Sequence, residues 1–283
     1  MQVIQHVAEM QAVAESLRVQ GRRIGVVPTM GYLHEGHLSL VRLARSHCDT
    51  VVVTLFVNPT QFGPTEDFER YPRDLDRDQK LAVQAGADIL FCPDTKEVYT
   101  QGHATFVEVE GVSSVFEGKF RPTHFRGVTT VVAKLLNITK PHAAVFGQKD
   151  AQQAFLIAKM ARELNFDVQI LVGPTVREQD GLALSSRNVY LSADERSRAT
   201  ALFRSLKRAE MLISQGERSA ANIRAQMLGL LSDAAPAKID YIAFVRPESF
   251  QEIEVLEPPS VLVALAVWFG STRLIDNMTI PIS

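Results

Sequence analysis

The sequence predicts an α/β fold, in which a doubly wound parallel sheet is followed by a smaller α+β domain. Strand-like and helix-like segments alternate over the first two-thirds of the chain, and this succession is typical of a parallel sheet covered by helices. The strand-like runs are continuously apolar, which favours burial on both faces. After Gly173 and Pro174 the chain turns to charged, alanine-rich helices and then to strands without helices between them. We therefore expect two domains, residues 1–175 and 176–283.

The elements of the first domain are predicted from the spacing of its apolar residues. Helices are expected where apolar residues recur every three or four positions, and strands where short apolar runs end near glycine or proline. In chain order the predicted elements are a strand at 24–27, a helix from 36 onward, a strand at 50–57, a helix at 75–85, a strand at 87–92, a helix at 128–136, a strand at 143–146, a helix at 150–164 and a strand at 168–172.

The second domain is predicted to begin with helices and to end with strands. Helices are expected at 192–215 and 219–231, and Ser192 is a suitable N-cap because Asp194 and Glu195 follow it in the first turn. Strands are expected at 239–245, 253–256 and 261–269. Since no helices separate these strands, we expect antiparallel pairing.

Composition excludes several classes of protein. The chain has 283 residues, of which 46% are hydrophobic and 22% charged, and its net charge is −2. The sequence shows no basic stripe of the kind that nucleic-acid-binding proteins carry, so a nucleic acid is not expected as a partner. The two cysteines form no CxxC pattern, so reduced thiols are expected. No apolar run approaches the ~18 residues of a membrane span, and no secretory signal is evident. A soluble cytoplasmic protein, with no membrane partner, is expected.

The first motif with chemical content is PTMGYLHEGH, at residues 28–37. It follows a strand and opens a helix, and its two histidines, His34 and His37, are three residues apart and therefore project to one side. Gly36 allows close approach to the backbone, and the helix N-terminus favours anions. Together these features predict a phosphate cradle. A metal site is a weaker alternative because further ligands at suitable spacing are lacking, and a single histidine of this kind is more often a capping or core residue.

A second motif, FGQKDAQQ, lies at residues 146–153. Gly147 ends a predicted strand, so the motif is expected at the carboxyl edge of the sheet, where ligands of open α/β sheets bind. Lys149 offers a point charge to phosphate, and Asp150 can accept from ribose hydroxyls. The alternative is an exposed lysine beside an N-cap aspartate.

Two further segments are candidates for ligand contacts. Residues 180–188 contain Ser185, Ser186 and Arg187 in succession, a set that suits a polyphosphate, although a polar linker has the same composition. Gln61 follows the second long strand and suits a small polar substrate, although an ordinary turn glutamine is equally consistent. The charged residues 66–80 are expected to form a solvated face, and residues 121–126 a proline-containing loop.

Together these segments resemble the pantothenate synthetase (pantoate–β-alanine ligase) family of the HxGH nucleotidyltransferase superfamily. The HxGH motif alone is only moderately specific, whereas the full set is highly specific and spans nearly the whole chain. The matching segments are PTMGYLHEGH (28–37), NPTQF (58–62), EDFERYPR (66–73), HFRGVTTVVAKL (124–135), FGQKDAQQ (146–153), REQDGLALSSRN (177–188) and RLIDN (273–277).

The resemblance implies a Rossmann-like first domain, a C-terminal lid and a homodimer. It also implies a reaction in which (R)-pantoate attacks Mg²⁺-bound ATP to give pantoyl adenylate and pyrophosphate, after which β-alanine displaces AMP. Its implied catalytic residues are His34, His37, Lys149 and Arg187, with His37 as proton donor. Gln61 and Gln153 would bind pantoate, and Gln61 would also lie by β-alanine. The implied ATP contacts are Met30, Gly31, Tyr32, Leu33, His34, Glu35, Gly36, His37, Gly147, Gln148, Lys149, Asp150, Val176, Leu184, Ser185, Ser186 and Arg187.

The chain departs from the family pattern at Thr60, where methionine is common, and at Ala151, where an aromatic residue is common.

Three rival functions can be distinguished from this ligase activity. Another HxGH nucleotidyltransferase would join a nucleotide to a phosphorylated acceptor, and an aminoacyl-tRNA synthetase fragment would need a basic surface. A non-catalytic nucleotide sensor is compatible with the fold alone, but it would not need the whole set of histidine, lysine and arginine residues.

Overall fold

The computed structural model describes residues 1–64, 66–236 and 238–283. Within them the chain forms two compact units, one of Met1–Gln148 with Gln153–Pro174 and one of Lys149–Gln152 with Thr175–Ser283. Over these same residues, none of the helices combines the length and the apolar character that crossing a bilayer would require.

The first unit is built on a six-stranded sheet of order β1-β4-β3-β2-β5-β6 in which all pairings are parallel. This confirms the predicted doubly wound α/β fold. In chain order its elements are β1 (Gln2–Ile4), α1 (Val7–Val19), β2 (Ile24–Thr29), α2 (Glu35–Arg45), β3 (Thr50–Leu55), α3 (Leu75–Ala85), β4 (Ile89–Phe91), α4 (Thr95–Val98), α5 (Glu117–Phe120), α6 (His124–Thr139), β5 (Ala143–Gly147), α7 (Ala151–Glu163) and β6 (Gln169–Gly173).

Successive strand residues of this sheet enter two different cores. Val26 and Val52 pack into one apolar cluster together with α1, α6 and α7, whereas Val27 and Val53 pack into the other, with α2 and α3. Because both faces are covered, apolar residues are favoured at successive positions of a central strand. This explains why the strand-like runs are continuous in the sequence.

The strand order reverses between β2 and β5, which are neighbours although the chain visits β3 and β4 between them. The register pairs Val26 with Ala144, so the carboxyl ends of the two strands meet at one edge of the sheet. Such a switch point leaves a crevice where ligands of α/β proteins bind. The histidine motif follows β2 and the FGQKD motif follows β5, so the topology places their starts side by side.

A partly buried hydrogen bond at the opposite end of β2 predicts an acid-sensitive contact. The Ile24 N–H donates to His142 Nδ1 over 3.0 Å, and burial, aided by Arg18 and Arg23, lowers the pKa of His142 below its ordinary 6.5. The folded state therefore prefers the neutral ring. Below pH 6.5 the unfolded chain gains the proton first, so stability is full above that pH and falls as pH drops through the lower folded pKa.

We expect His142→Asn, which keeps an acceptor but cannot titrate, to show a smaller loss of melting temperature between about pH 7.5 and about pH 5.5 than the wild type. His47→Asn, at an exposed position, is the matched control and should keep the wild-type pH dependence. Equal pH dependence in all three proteins would contradict this role.

The second unit packs three helices against an antiparallel sheet of order β7-β8-β9, as predicted. Its elements are α8 (Ala193–Ala199), α9 (Ala201–Ser214), α10 (Ala220–Asp233), β7 (Lys238–Val245), β8 (Ser260–Phe269) and β9 (Thr272–Pro281). Ser192 caps α8 as expected, since its hydroxyl accepts the Glu195 N–H and the Glu195 carboxylate accepts the Ser192 N–H.

Several predictions about these elements were wrong. Residues 253–256 form no strand; Val255 makes only an isolated bridge to Ser219. The predicted helix at 192–215 is two helices, with Thr200 between them. Strands β1 and β9 were missed. β9 alternates buried with less buried residues and includes polar ones, so it lacked the continuous apolar pattern by which the other strands were recognised.

Candidate active site

The two histidines of the first motif face each other at the start of α2. His34 is the N-cap, its N–H donates to His37 Nδ1 over 3.3 Å, and the ring centroids are 4.0 Å apart. The spacing therefore places both rings on one side, as predicted. Because Nδ1 of His37 accepts a hydrogen bond, a neutral ring carries its proton on Nε2 and presents a donor there.

The loop between β2 and α2 has an unusual backbone. Gly31 and Tyr32 have positive φ angles of 84° and 51°. The Gly31 N–H donates to Thr29 Oγ1 over 3.2 Å, and that hydroxyl donates to the Thr54 carbonyl over 2.7 Å. These contacts tie the loop to the ends of β2 and β3.

The same loop is bound by Asp78 of α3, a residue predicted to lie on a solvated face. Asp78 is only 2% exposed, and its carboxylate accepts the N–H groups of Tyr32 and Leu33 over 2.6 and 2.7 Å. That prediction was therefore wrong for Asp78. The available signal was its position on the buried stripe of α3, in line with Ala82 and Ala85.

Gln61 is held by Asn58, which is fully buried. Asn58 Nδ2 donates to the Gly127 carbonyl over 3.1 Å and to Gln61 Oε1 over 2.9 Å, and its Oδ1 accepts from Tyr99 and Thr60 over 2.8 and 3.0 Å. Since the Gly127 carbonyl can only accept, the orientation of the Asn58 amide is fixed. The Gln61 amide is fixed in turn, and it presents its NH₂ donors away from Asn58.

The backbone of Gln61 is also constrained, by residues around the start of α6. Its carbonyl is contacted by Arg121 over 3.2 Å and His124 over 2.9 Å, and Arg121 forms a bidentate pair with Glu66 at 2.7 and 2.6 Å. Two predictions are corrected here. Residues 124–126 belong to α6 and not to a loop, and Glu66 is part of this ionic contact and not of a solvated face.

Gly127 allows α6 to approach the Asn58–Gln61 turn. A Cβ at this position would lie 2.2 Å from the Thr60 carbonyl oxygen and 2.9 Å from the Gln61 nitrogen, so the backbone would have to move. We expect Gly127→Ala to destabilise the protein by about 1–3 kcal/mol and to weaken substrate binding.

Gly229, in α10, is the matched control, since a Cβ there would meet nothing within 4 Å. Gly229→Ala should raise stability by about 0.5–1 kcal/mol. Chemical denaturation of both variants measures the contrast, and equal effects of the two changes would contradict the packing argument.

The second motif begins beside α2. A Cβ on Gly147 would lie 3.7 Å from Leu40 of α2, which places the end of β5 next to the helix that the histidines open. Gln148–Asp150 forms a single 3-10 turn. Lys149 has a side chain 20% exposed, and its Nζ lies 3.9 Å from Asp150 Oδ1. Gln153 follows, half-buried, in the first turns of α7.

The third motif forms a closed turn in the second unit. Leu184 N–H donates to the Val176 carbonyl over 3.0 Å, and Arg177 makes a bidentate pair with the buried Asp276 of β9 at 2.6 and 2.9 Å. Ser185 Oγ accepts the Arg187 N–H over 3.2 Å and keeps its own O–H as a donor. Ser186 is buried, whereas Leu184 and Arg187 are half-buried.

Among residues 1–64, 66–236 and 238–283 the structure shows no group of three or more histidine, cysteine or acidic side chains arranged to hold a metal ion. Both cysteines are free thiols in the described chain, Cys48 buried and Cys92 partly so. The imidazoles of His34 and His37, which lie 4.0 Å apart at the start of α2, suit an anionic or polar ligand.

A doubly wound parallel sheet with paired imidazoles at the start of the helix that follows β2 is typical of an α/β protein with a ligand crevice at its switch point. Comparison with known proteins identifies the family. The model of the pantoate-beta-alanine ligase family matches residues 2–279, and the chain belongs to that family. It is therefore a ligase.

Individual relatives agree with this assignment. The chain is 53% identical to the pantothenate synthetase of Acetivibrio thermocellus, covering 100% of both chains. It resembles the crystal structure of pantothenate synthetase from Thermus thermophilus with a TM-score of 0.92 at 44% identity, covering 98% and 99% of the two chains. The ligase of Francisella tularensis, solved in complex with beta-gamma ATP and beta-alanine, gives a TM-score of 0.81 at 34% identity over 98% and 97%.

Proposed function

We propose that this protein condenses (R)-pantoate with β-alanine in an ATP-dependent reaction, through a pantoyl adenylate, and releases pyrophosphate and AMP. The observation that carries this proposal is the pair of facing imidazoles at the start of α2, the helix whose Leu40 packs next to the glycine that ends β5. The family assignment supplies the substrates. The names of the relatives and the ATP and β-alanine of the Francisella complex support the same reaction.

The chemistry needs activation of a carboxylate, because a free carboxylate is a poor acyl donor. The pantoate carboxylate oxygen attacks the α-phosphorus of ATP, the bond from that phosphorus to the bridging oxygen breaks, and pyrophosphate leaves with the electron pair. The β-alanine amine then attacks the acyl carbon and AMP leaves. No covalent bond to the protein is required, so its contribution is positioning and charge stabilisation.

The roles proposed for individual residues are those that the family resemblance implies. Imidazole donors of His34 and His37 stabilise charge that develops on the α-phosphate, and His37 acts as proton donor. The fixed NH₂ group of Gln61 donates to pantoate oxygens, with Gln153 as a second amide, and Gln61 also lies by β-alanine. The remaining proposed ATP contacts are Met30, Gly31, Tyr32, Leu33, Glu35, Gly36, Gly147, Gln148, Lys149, Asp150, Val176, Leu184, Ser185, Ser186 and Arg187, with Lys149 and Arg187 on phosphates.

We propose that Mg²⁺ enters bound to ATP. Magnesium is usually held by one or two carboxylates together with substrate phosphates and water, not by an all-protein cage. Because the Asp150 carboxylate, 47% exposed beside Lys149, is proposed to bind the ribose, the ion would be held mainly by the substrate phosphates and water. When bound, the ion would neutralise the phosphate oxygens and favour departure of pyrophosphate.

We also propose a cytoplasmic homodimer. Two free thiols suit a reducing compartment. Edge strand β6 leaves Val172 43% exposed, and an uncovered apolar strand edge is a surface for pairing with a second copy. Light scattering of the wild type and of Val172→Lys tests this, with a shift toward monomer expected in the variant.

We further propose that the second unit acts as a lid. Small-angle scattering with and without ATP and pantoate tests this proposal.

A coupled assay of AMP release, with ATP, Mg²⁺, pantoate and β-alanine omitted one at a time, tests the proposed reaction. AMP release that requires all four components supports it. Another HxGH nucleotidyltransferase is separated by exchange of labelled pyrophosphate into ATP, which should depend on pantoate. ATP binding without any turnover would instead favour a non-catalytic sensor.

A further inference from the structure

Asp78 is a buried carboxylate with a specific and unusual attachment. It lies in the first turns of α3, 2% exposed, and both of its oxygens are used by successive main-chain N–H groups of Tyr32 and Leu33 at 2.6 and 2.7 Å. Burying a carboxylate costs free energy unless hydrogen bonds or charges offset it. We therefore expect the two hydrogen bonds of the Asp78 carboxylate to hold the loop in a way that a neutral side chain would not.

The loop that Asp78 binds is held in a conformation that side chains avoid. Tyr32 is not a glycine, yet its φ is 51°, and such residues persist only where their surroundings determine the backbone. Gly31, at φ 84°, is tightly fitted as well, because a Cβ there would lie 3.1 Å from Asp78 Oδ2. Asp78 Oδ2 therefore restricts the space at Gly31 and also accepts the N–H of Tyr32.

The surrounding charges support an ionised carboxylate in this contact. Arg77 approaches Asp78 Oδ1 at 3.5 Å and also stacks over the Tyr32 ring at 4.8 Å. Burial raises the pKa of Asp78 above its ordinary value, and the two N–H groups and Arg77 oppose that rise without cancelling it. An ionised carboxylate accepts both N–H bonds, whereas an amide in its place would offer one acceptor and one opposing donor.

The contact also decides which groups of the motif are available to a nucleotide. The N–H groups of Tyr32 and Leu33 are already bound by a protein carboxylate, so a phosphate would have to displace a buried anion to reach them. Phosphate recognition by this motif is thereby left to the imidazoles and to the start of α2. The His34 backbone follows directly from Leu33, so its placement depends on the loop that Asp78 fixes.

We propose that Asp78 is a positioning residue for ATP. It fixes the left-handed turn at Gly31 and Tyr32 so that the following histidine pair meets the nucleotide phosphates. This inference rests on the proposed function, because it assigns a role within the same ATP site. No contact between Asp78 and the substrate is implied.

The test compares Asp78→Asn with Asp76→Asn, an exposed change on the same helix. We expect Asp78→Asn to raise the KM for ATP about tenfold or more, the loss expected for one charge-assisted hydrogen bond, with the KM values for pantoate and β-alanine little changed. Amide hydrogen exchange in a peptide covering residues 30–34 should become faster. Asp76→Asn should behave as wild type in both measurements.

Gly31→Ala provides a second variant, because it perturbs the same contact while leaving Asp78 in place, and it should share the ATP-specific defect. The proposal would be overturned if both variants lowered kcat equally while the KM for ATP and the hydrogen exchange of residues 30–34 stayed unchanged. Calorimetric ATP binding and hydrogen exchange need no turnover. A wild type that binds ATP but makes no pantothenate would therefore refute the proposed function and still leave Asp78 tested.

Discussion

Replacing His37 with alanine is expected to lower kcat by roughly 10²- to 10³-fold, the effect of removing one preorganised donor from a developing oxyanion. The ring stands 4.0 Å from that of His34 and presents an Nε2 donor because its Nδ1 accepts the His34 N–H. Burst measurements of pyrophosphate release should show that adenylate formation is the step that slows. ATP affinity should change much less, since other groups of the motif remain.

The His37→Asn variant separates chemistry from helix capping. Asparagine can still accept the His34 N–H, so it should restore any stability lost in the alanine variant but not the rate. His47→Ala, an exposed histidine just beyond the end of the same helix, is the control for loss of an imidazole as such. Turnover of His37→Ala within a few fold of wild type would remove this residue from the mechanism.

Replacing Asp276 with alanine is expected to destabilise the second unit by about 3–5 kcal/mol, the usual cost of leaving one member of a buried ion pair unpartnered. The Asp276 side chain is 1% exposed and that of Arg177 17%, and Arg177 also donates to the Gly181 carbonyl over 3.1 Å. Loss of Asp276 therefore frees the turn that leads to Ser185 and Arg187. We expect a lower denaturation midpoint together with a raised KM for ATP.

Glu257→Ala is the matched control within the same unit. Glu257 pairs with Arg246 at 2.8 Å, but their side chains are 61% and 49% exposed, and exposed pairs contribute about 1 kcal/mol or less. Urea denaturation of the two variants should differ by at least about 2 kcal/mol. A similar small loss in both would show that the Arg177–Asp276 pair does not hold the turn.

The sequence predicted those features that depend on neighbouring residues. The apolar runs of β2 and β3 identified buried parallel strands, because both faces of such strands are covered. The three-residue spacing of His34 and His37 predicted that the rings share a side, and the bond from the His34 N–H to His37 Nδ1 at the N-cap holds them there. The motifs also identified the family, and because the first two motifs lie where β2 and β5 end, the sequence predicted a ligand site at that edge of the sheet.

Only the tertiary structure decided how distant residues hold these motifs in place. Asp78 lies 46 residues from Tyr32, Asn58 lies 69 from the Gly127 carbonyl that orients it, and Arg177 lies 99 from Asp276. From sequence alone an isolated charged residue is predicted to be exposed to solvent, because most charged side chains are exposed. Whether one is instead buried and paired depends on the packing of separate elements, and local spacing carries no information about that.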